Sequence, residues 1–338
     1  MKKLIFTIIT LFFITIADSS NEDCFKNIGW GPIHYHISSP LRGLKNNLIP
    51  MTPFPMKAGD YKYRTSYSWI NVWNYKKDYF MIDLEVLSMD HMLSIGFKND
   101  YVVNINFPLY YLNGGILDRE IENFHSALGI TNANREIQPR NSMKYWVKDI
   151  YGNVFETTKK ELQGLDRGNI NIILQKNIYS NPKLPRGFFL NFQLPTKTLS
   201  ETLNVKKGDI TVSYAWVFNT GQKFHYINVG LTKFRENFLG PIHFEKYNAG
   251  IFYTVETVLN SKKHAFFQLQ FSQKITKDVP EFDKSTYIVN YGWKWKNGRN
   301  VFTFSFMENI LNFDNSPDVG FYFSREFYGN KTDYCPIK

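Results

Sequence analysis

From Tyr61 to the C-terminal end the chain alternates apolar with small or polar side chains, the period of two that places successive residues on opposite faces of a strand. Between Gly208 and Asn219 one face reads Ile210, Val212, Tyr214, Trp216 and Phe218, and the other Thr211, Ser213, Ala215 and Val217. Phe188, Leu190, Phe192 and Leu194 alternate in the same way with Phe189, Asn191 and Gln193, as do Phe302, Phe304 and Phe306 with Thr303 and Ser305. Soluble sandwiches alternate too, so further features decide the class. The apolar face is heavily aromatic toward strand ends, and the opposite face is small or polar on nearly every strand. The repeats run to about a dozen residues, long for a sandwich and suited to a tilted membrane strand. No stretch approaches the roughly eighteen uninterrupted apolar residues of a spanning helix. In lipid every backbone group needs a partner, and a closed barrel supplies it without helices. The composition fits: 43% hydrophobic and 17% aromatic beside 21% charged residues suit one face in lipid, one in water and aromatic girdles between them.

The pattern predicts an all-β fold, a transmembrane antiparallel up-and-down β-barrel of about twelve strands, with one short helix in a long external loop. The strands fall near residues 62–74, 79–97, 101–111, 168–178, 187–195, 208–218, 222–233, 246–258, 264–274, 286–296, 300–308 and 318–328. The second changes face around Ser88 to His91, which suggests a bulge. Short connectors such as Lys98 to Asp100 and Asn297 to Arg299 alternate with long ones such as Leu112 to Arg167 and Ile275 to Ser285. That is the asymmetry between periplasmic turns and external loops. An even strand count returns both ends to the periplasm.

The ends complete the division. Lys2 and Lys3, the apolar run Leu4 to Ile16, then Ala17, Asp18 and Ser19 describe a secretory signal peptide over 1–19. Residues 20–60 are rich in proline without a sustained period; they enter the lumen as a partial plug or hang in the periplasm. The barrel occupies 61–328, with 112–167 as a structured external loop holding a helix over Ile116 to Leu128 and a hairpin turning at Gly152-Asn153. Residues 329–338 form a periplasmic tail. Cys24 and Cys335, the two cysteines, pair as one disulfide in an oxidising compartment. The formal charge of +10 is dispersed and comes without a zinc spacing or basic helix, which points to anionic headgroups or solutes rather than nucleic acid.

Particular residues also resemble a known family. Gly31-Pro32-Ile33 with Ser39-Pro40-Leu41, Trp69 with Asn71, and the run from Gly114-Gly115-Ile116-Leu117-Asp118 to Ile121-Glu122-Asn123-Phe124-His125 carry the likeness. Leu194-Pro195-Thr196 and Ser316-Pro317-Asp318 extend it over nearly the whole mature chain. The chain resembles the uncharacterised proteobacterial family called domain of unknown function 3187. It departs from that pattern at Gly164-Leu165-Asp166-Arg167 and at Lys197. The resemblance implies an outer-membrane barrel and supplies no catalytic residues.

Two groups could carry chemistry. Asp118, Glu122 and His125 share one face of the external helix; they suit a divalent cation or acid–base work, or else a helix cap and bonds to the barrel wall. Asp83 and Glu85 lie on one face of the second strand, read here as the lumen face, where they pair with basic groups or line an eyelet. A barrel phospholipase would want His and Ser two apart on an outward face, and Ser261 with His264 has the wrong spacing. No catalytic, cofactor-binding or phosphate-cradling signature is present, so no cofactor is expected. The expected function is a narrow passive channel or uptake pore for small solutes, resting on the small and polar lumen face. The alternative is a non-enzymatic structural or surface-interaction barrel, and a membrane-embedded hydrolase comes last. Expected partners are outer-membrane lipid, the barrel-assembly machinery and an unidentified small solute.

The last strand carries Val319, Phe321, Phe323 and Phe327 on one face, and an unpaired terminal strand is what edge recognition would read. Phe327 is therefore expected to be the functional end of the barrel. Phe327→Ser should leave the protein in the periplasm, scored by fractionation, whereas truncation after Phe327 should still insert.

Overall fold

The computed structural model describes residues 29–35, 48–129, 134–178, 185–196, 207–236, 238–239, 242–312, 317 and 319–329. The signal-peptide segment, Cys24, Cys335 and the rest of the tail lie outside these residues. In chain order the strands are β1 (Tyr61–Lys76), β2 (Phe80–Gly96), β3 (Tyr101–Asn113), β4 (Lys144–Lys148), β5 (Val154–Thr157), β6 (Gly164–Arg167), β7 (Ile170–Ile178) and β8 (Arg186–Leu194). They continue with β9 (Ile210–Thr220), β10 (Lys223–Lys233), β11 (Phe238–Leu239), β12 (Ile242–His243), β13 (Tyr247–Asn260) and β14 (Lys263–Ser272). The chain ends on β15 (Thr286–Asn297), β16 (Asn300–Leu311) and β17 (Val319–Tyr328). Helices α1 (Asp118–Leu128) and α2 (Lys159–Leu162) sit between β3 and β6.

Twelve of the strands close on themselves, in the order β1, β2, β3, β7, β8, β9, β10, β13, β14, β15, β16, β17. The seam joins the first to the last, from Lys62 opposite Tyr328 to Asn71 opposite Val319. Phe327 is the last outward side chain of β17, and Tyr328 continues the pairing by one more residue. The expected bulge in β2 is absent. Its register runs unbroken from Tyr61 opposite Ile95 to Lys76 opposite Phe80, and equally along β3.

The alternation sorts the side chains into two environments. Outward positions keep large apolar groups exposed, among them Val212 at 55%, Leu231 at 50% and Trp293 at 50%, in amounts that only a lipid contact explains. Near the short turns the outer face is aromatic, with Trp295 stacked 5.6 Å from Phe302 and Phe323 6.2 Å from Trp295. Inward positions are buried, and through most of the wall they are small or polar: Ser94, Asn104, Gln175, Asn191, Thr211, Thr254 and their like.

The wall changes partners at its external end. Beyond Asn113 the chain leaves the barrel for α1, and β4 takes over the edge of β2, pairing Lys144 with Asp83 and Val147 with Phe80. The hairpin β4–β5 stands on that edge, while β6 extends β7 by pairing with Leu109 to Leu112. The inner face there is apolar. Phe80, Ile82, Leu84 and Val86 meet Tyr145, Val147, Phe244, Ile275, Val279 and Phe282 in one core cluster. These last residues come from external connections, so the loops fold inward and fill the mouth.

Residues 29–35 and 48–56 belong to no strand and run inside the barrel. Trp30 and Gly31 lie beside the turn-side ends of β10, β13 and β15, and Tyr35 joins the apolar cluster above. Leu48 starts the return, packed where Gly230 and Gly250 face inward: a Cβ on Gly230 would lie 2.6 Å from Leu48 Cδ1. Met56 ends it at Gly96, whose amide donates to Asp60 O at 2.9 Å. Of the two paths open to this segment, the described legs take the lumen.

Phe282 is fully buried and sits edge-on to Phe80, with ring centroids 5.2 Å apart. Phe282→Ala should cost about 3–5 kcal/mol locally. The β14–β15 loop should then become cleavable by external protease, while the barrel keeps the gel mobility of a folded form.

Candidate functional site

The lumen segment is backbone without a sheet, so its N–H and C=O groups must find side-chain partners. One carboxylate does most of this. Glu256 faces inward from β13 and is fully buried. It accepts hydrogen bonds from Trp30 N at 2.9 and 3.0 Å and from Gly31 N at 3.0 Å. It also accepts from Tyr226 OH on β10 at 3.1 Å, while His264 Nδ1 on β14 lies 2.5 Å from Oε1. Lys294 on β15 places Nζ 3.4 Å from Oε2 and donates to Gly31 O as well.

The register builds this cluster. His264 stands directly opposite Lys294, and Val258, two residues from Glu256, stands opposite His264. Equal parity on neighbouring strands therefore turns all three side chains inward within one turn-side layer. The Trp30 ring stacks on the His264 imidazole at 3.7 Å with 7° between planes. A buried carboxylate left alone would be costly, and here a cation, a ring N–H and two amides satisfy it. Farther in, Ile33 N donates to Gln268 Oε1 at 3.0 Å, and Gln268 Nε2 donates back to Ile33 O at 3.3 Å. The returning leg is held by Met51 N donating to Asn228 Oδ1 at 2.8 Å and by Gln175 Nε2 donating to Thr52 O at 3.1 Å. The arrangement is a latch that holds an internal segment against the wall.

The carboxylates expected in the lumen lie elsewhere. Asp83 and Glu85 point outward from β2, and they are buried because the insertion after β3 covers them. Glu85 accepts from Ile116 N at 3.0 Å, Leu117 N at 2.6 Å and Trp69 Nε1 at 2.8 Å. Ser142 Oγ donates to Asp83 at 2.5 Å. Glu85 pins the start of α1, and Asp83 the approach to β4, to the outside of the wall. On that helix Asp118 pairs with Arg135 at 3.4 Å and accepts from Asn141 N at 2.8 Å. Glu122 pairs with Arg140 at 2.5 Å. His125 lies on α1, but its side chain is outside the description. Asp118 and Glu122 thus serve separate arginines, and among the described residues no three His, Cys, Asp or Glu side chains gather as a metal site. In the same insertion, three hydrogen bonds, from Thr158 N, Thr157 Oγ1 and Thr158 Oγ1, hold the Glu161 carboxyl below its usual range.

The latch residues Trp30, Tyr226, Glu256, His264 and Lys294 went unread in the sequence. A signal was available: Glu256, His264 and Lys294 are charged or titratable groups on the small, polar parity of three consecutive strands, all near short turns.

The model of the family described as protein of unknown function (DUF3187) matches residues 5–328. The chain belongs to that family. No curated protein matches its sequence. Among solved structures, the COG4313 outer-membrane channel from Pseudomonas putida F1 superposes with a TM-score of 0.54 at 8% identity, covering 84% of this chain and 100% of the other. The NanC porin gives a TM-score of 0.45 at 7% identity, covering 79% and 98%. The Pseudomonas putida toluene transporter TodX gives 0.44 at 8% identity, covering 89% and 99%. These neighbours are channels and transporters rather than enzymes. At such identities the first likeness establishes the fold of this DUF3187 member, a closed outer-membrane barrel, and nothing finer.

Glu256→Ala removes the acceptor for two amides and leaves Lys294 buried without its anion, which should cost about 3–5 kcal/mol. Hydrogen exchange at Trp30 and Gly31 should rise by orders of magnitude, while exchange in the strands stays slow. Equal protection in both proteins would show that the latch does not hold the segment.

Proposed function

We propose that this DUF3187 barrel is an outer-membrane channel for small solutes, closed at rest by its own residues 29–35 and 48–56. The observation that carries this reading is the state of the inner wall. Asn106 Oδ1, Asn171 Oδ1, Asn228 Nδ2, Gln270 Oε1 and both amide atoms of Asn290 are buried without a protein partner among the described residues. They lie on β3, β7, β10, β14 and β15. Buried polar atoms call for water or solute, and a wall designed only to be filled would not carry so many. The closure is made of parts separate from the wall: a segment held by side-chain hydrogen bonds and loops folded into the mouth. Such contacts can be exchanged for water without opening the sheet. The similar solved structures include channels, which agrees. The apolar packing at the external end favours the second reading, a structural or surface-interaction barrel that never opens.

Planar-bilayer recording distinguishes them. The refolded full chain should conduct rarely, and a variant lacking 29–56 should conduct steadily. Silence of both proteins at every voltage would remove the channel and leave the structural role.

A further inference from the structure

Between the two lumenal legs and the inner face of β1, β2, β3 and β7 lies a cavity of about 30 Å³, room for roughly two or three waters. His34 lines it from the first leg, Met51 and Met56 from the returning one, and Met92 from β2. The chain has eight methionines, and three of them border this one space. Methionine often fills an irregular gap in a core. Here the gap is left open and an imidazole shares it, with His34 Nδ1 buried and without a hydrogen-bond partner.

Register brings these groups to one height. Ile33 N is held by Gln268 on β14 and Met51 N by Asn228 on β10. Asn228 stands opposite Phe252, and Phe252 opposite Gln270, the inward residue next to Gln268. His34 and Met51 therefore leave their two legs at nearly the same level. Met51 and Met92 pack in one buried cluster, and Arg64 Nη2 positions the Met92 sulfur by donating to it at 3.4 Å. Met56 lies nearer the turn-side rim, beside Gly96.

The donor set selects what it can hold. Thioether sulfur is a soft, neutral ligand and imidazole suits the same metals, whereas calcium and magnesium want oxygen. Among the described residues no aspartate or glutamate lines the cavity. The charges of Arg64, Lys62 and Lys294 act on His34, which favours the neutral ring with its lone pair. Those cations are themselves answered. Lys62 pairs with Glu326 at 3.3 Å and Lys294 with Glu256 at 3.4 Å. Arg64 stands opposite Glu326 on β17, and Asp90 lies two residues from Met92 on β2. With three carboxylates set against three cations, one ligated positive charge is tolerable, whereas a divalent ion would lack its anionic ligands.

We propose that this cavity binds one soft monovalent cation of the Cu(I) class, ligated by His34, Met51 and Met92, with Met56 as the thioether at its entrance. Bound there, the ion ties the first leg, the returning leg and the wall together at one point, and so steadies the closure. The site goes beyond the channel reading, because binding requires no conduction.

Silver(I), which shares the ligand preference of Cu(I) and needs no reductant, is the probe. Silver nitrate is titrated by calorimetry into the refolded full-length protein carrying Cys24→Ser and Cys335→Ser, in detergent and chloride-free buffer. One saturable equivalent is expected. Met51→Leu, which keeps the volume and removes the sulfur, and His34→Gln should each weaken it about tenfold or more. Met307→Leu, in the apolar cluster above, should leave it unchanged. All variants are first checked for the gel mobility of a folded barrel. Hydrogen exchange over residues 48–56 should slow with silver and not with calcium. Heats that never saturate, or equal silver affinity in the parent and in both folded cavity variants, would mean that the thioethers only fill space and overturn the proposal. A protein silent in bilayers that still bound silver through Met51 would strike the channel reading and leave this site standing.

Discussion

A polypeptide lying inside a closed sheet cannot use the sheet's own hydrogen bonds, because neighbouring strands have already consumed them. Every polar backbone group of the internal segment must be met by a side chain or by water, and the barrel's lumen chemistry follows from that demand. Glu256 answers it at one end by gathering two amides, a phenol, an imidazole and an ammonium. Asn228, Gln175 and Gln268 answer it elsewhere. The small and polar inner face is therefore shaped by its occupant as well as by the need to line an aqueous space.

Fold and site differ sharply in how far the sequence discloses them. Alternation is a local property, and a run such as Ile210 to Phe218 states its own geometry. Strand count, the alternation of short and long connectors, and the hairpin at Gly152-Asn153 were readable for that reason, with ends within a few residues. β2 shows the limit. Its phase never changes, yet from Leu87 to Phe80 the two faces exchange polarity: Asp83 and Glu85 look outward while Ile82 and Leu84 look in. Parity identifies the two faces but not what covers them. Above the lipid, the insertion brings polar partners to the outer face, and the infolded loops bring an apolar filling to the inner one. Sequence alternation carries no record of either, so the apparent switch read as a bulge.

The latch was illegible for a related reason. Its members come from the N-terminal segment and from β10, β13, β14 and β15, separated by as many as 263 positions between Gly31 and Lys294. No spacing rule joins residues that only barrel closure brings together. Each alone looks ordinary: a lysine among tryptophans, a histidine after a turn, a glutamate in a strand. The external helix misled in the opposite direction, because Asp118, Glu122 and His125 satisfy a helical spacing while Arg135 and Arg140 draw two of them apart.

The separation between Trp30 and Glu256, 226 positions along the chain, also orders events in time. The anchoring carboxylate belongs to the thirteenth strand, and its histidine and lysine to the next two, so the first leg, at Trp30 and Gly31, cannot be fastened by this anchor until most of the wall exists. Closing so long a loop is entropically slow beside the pairing of adjacent hairpins. The fastening of that first leg thus depends on contacts among the most distant in sequence that the barrel makes.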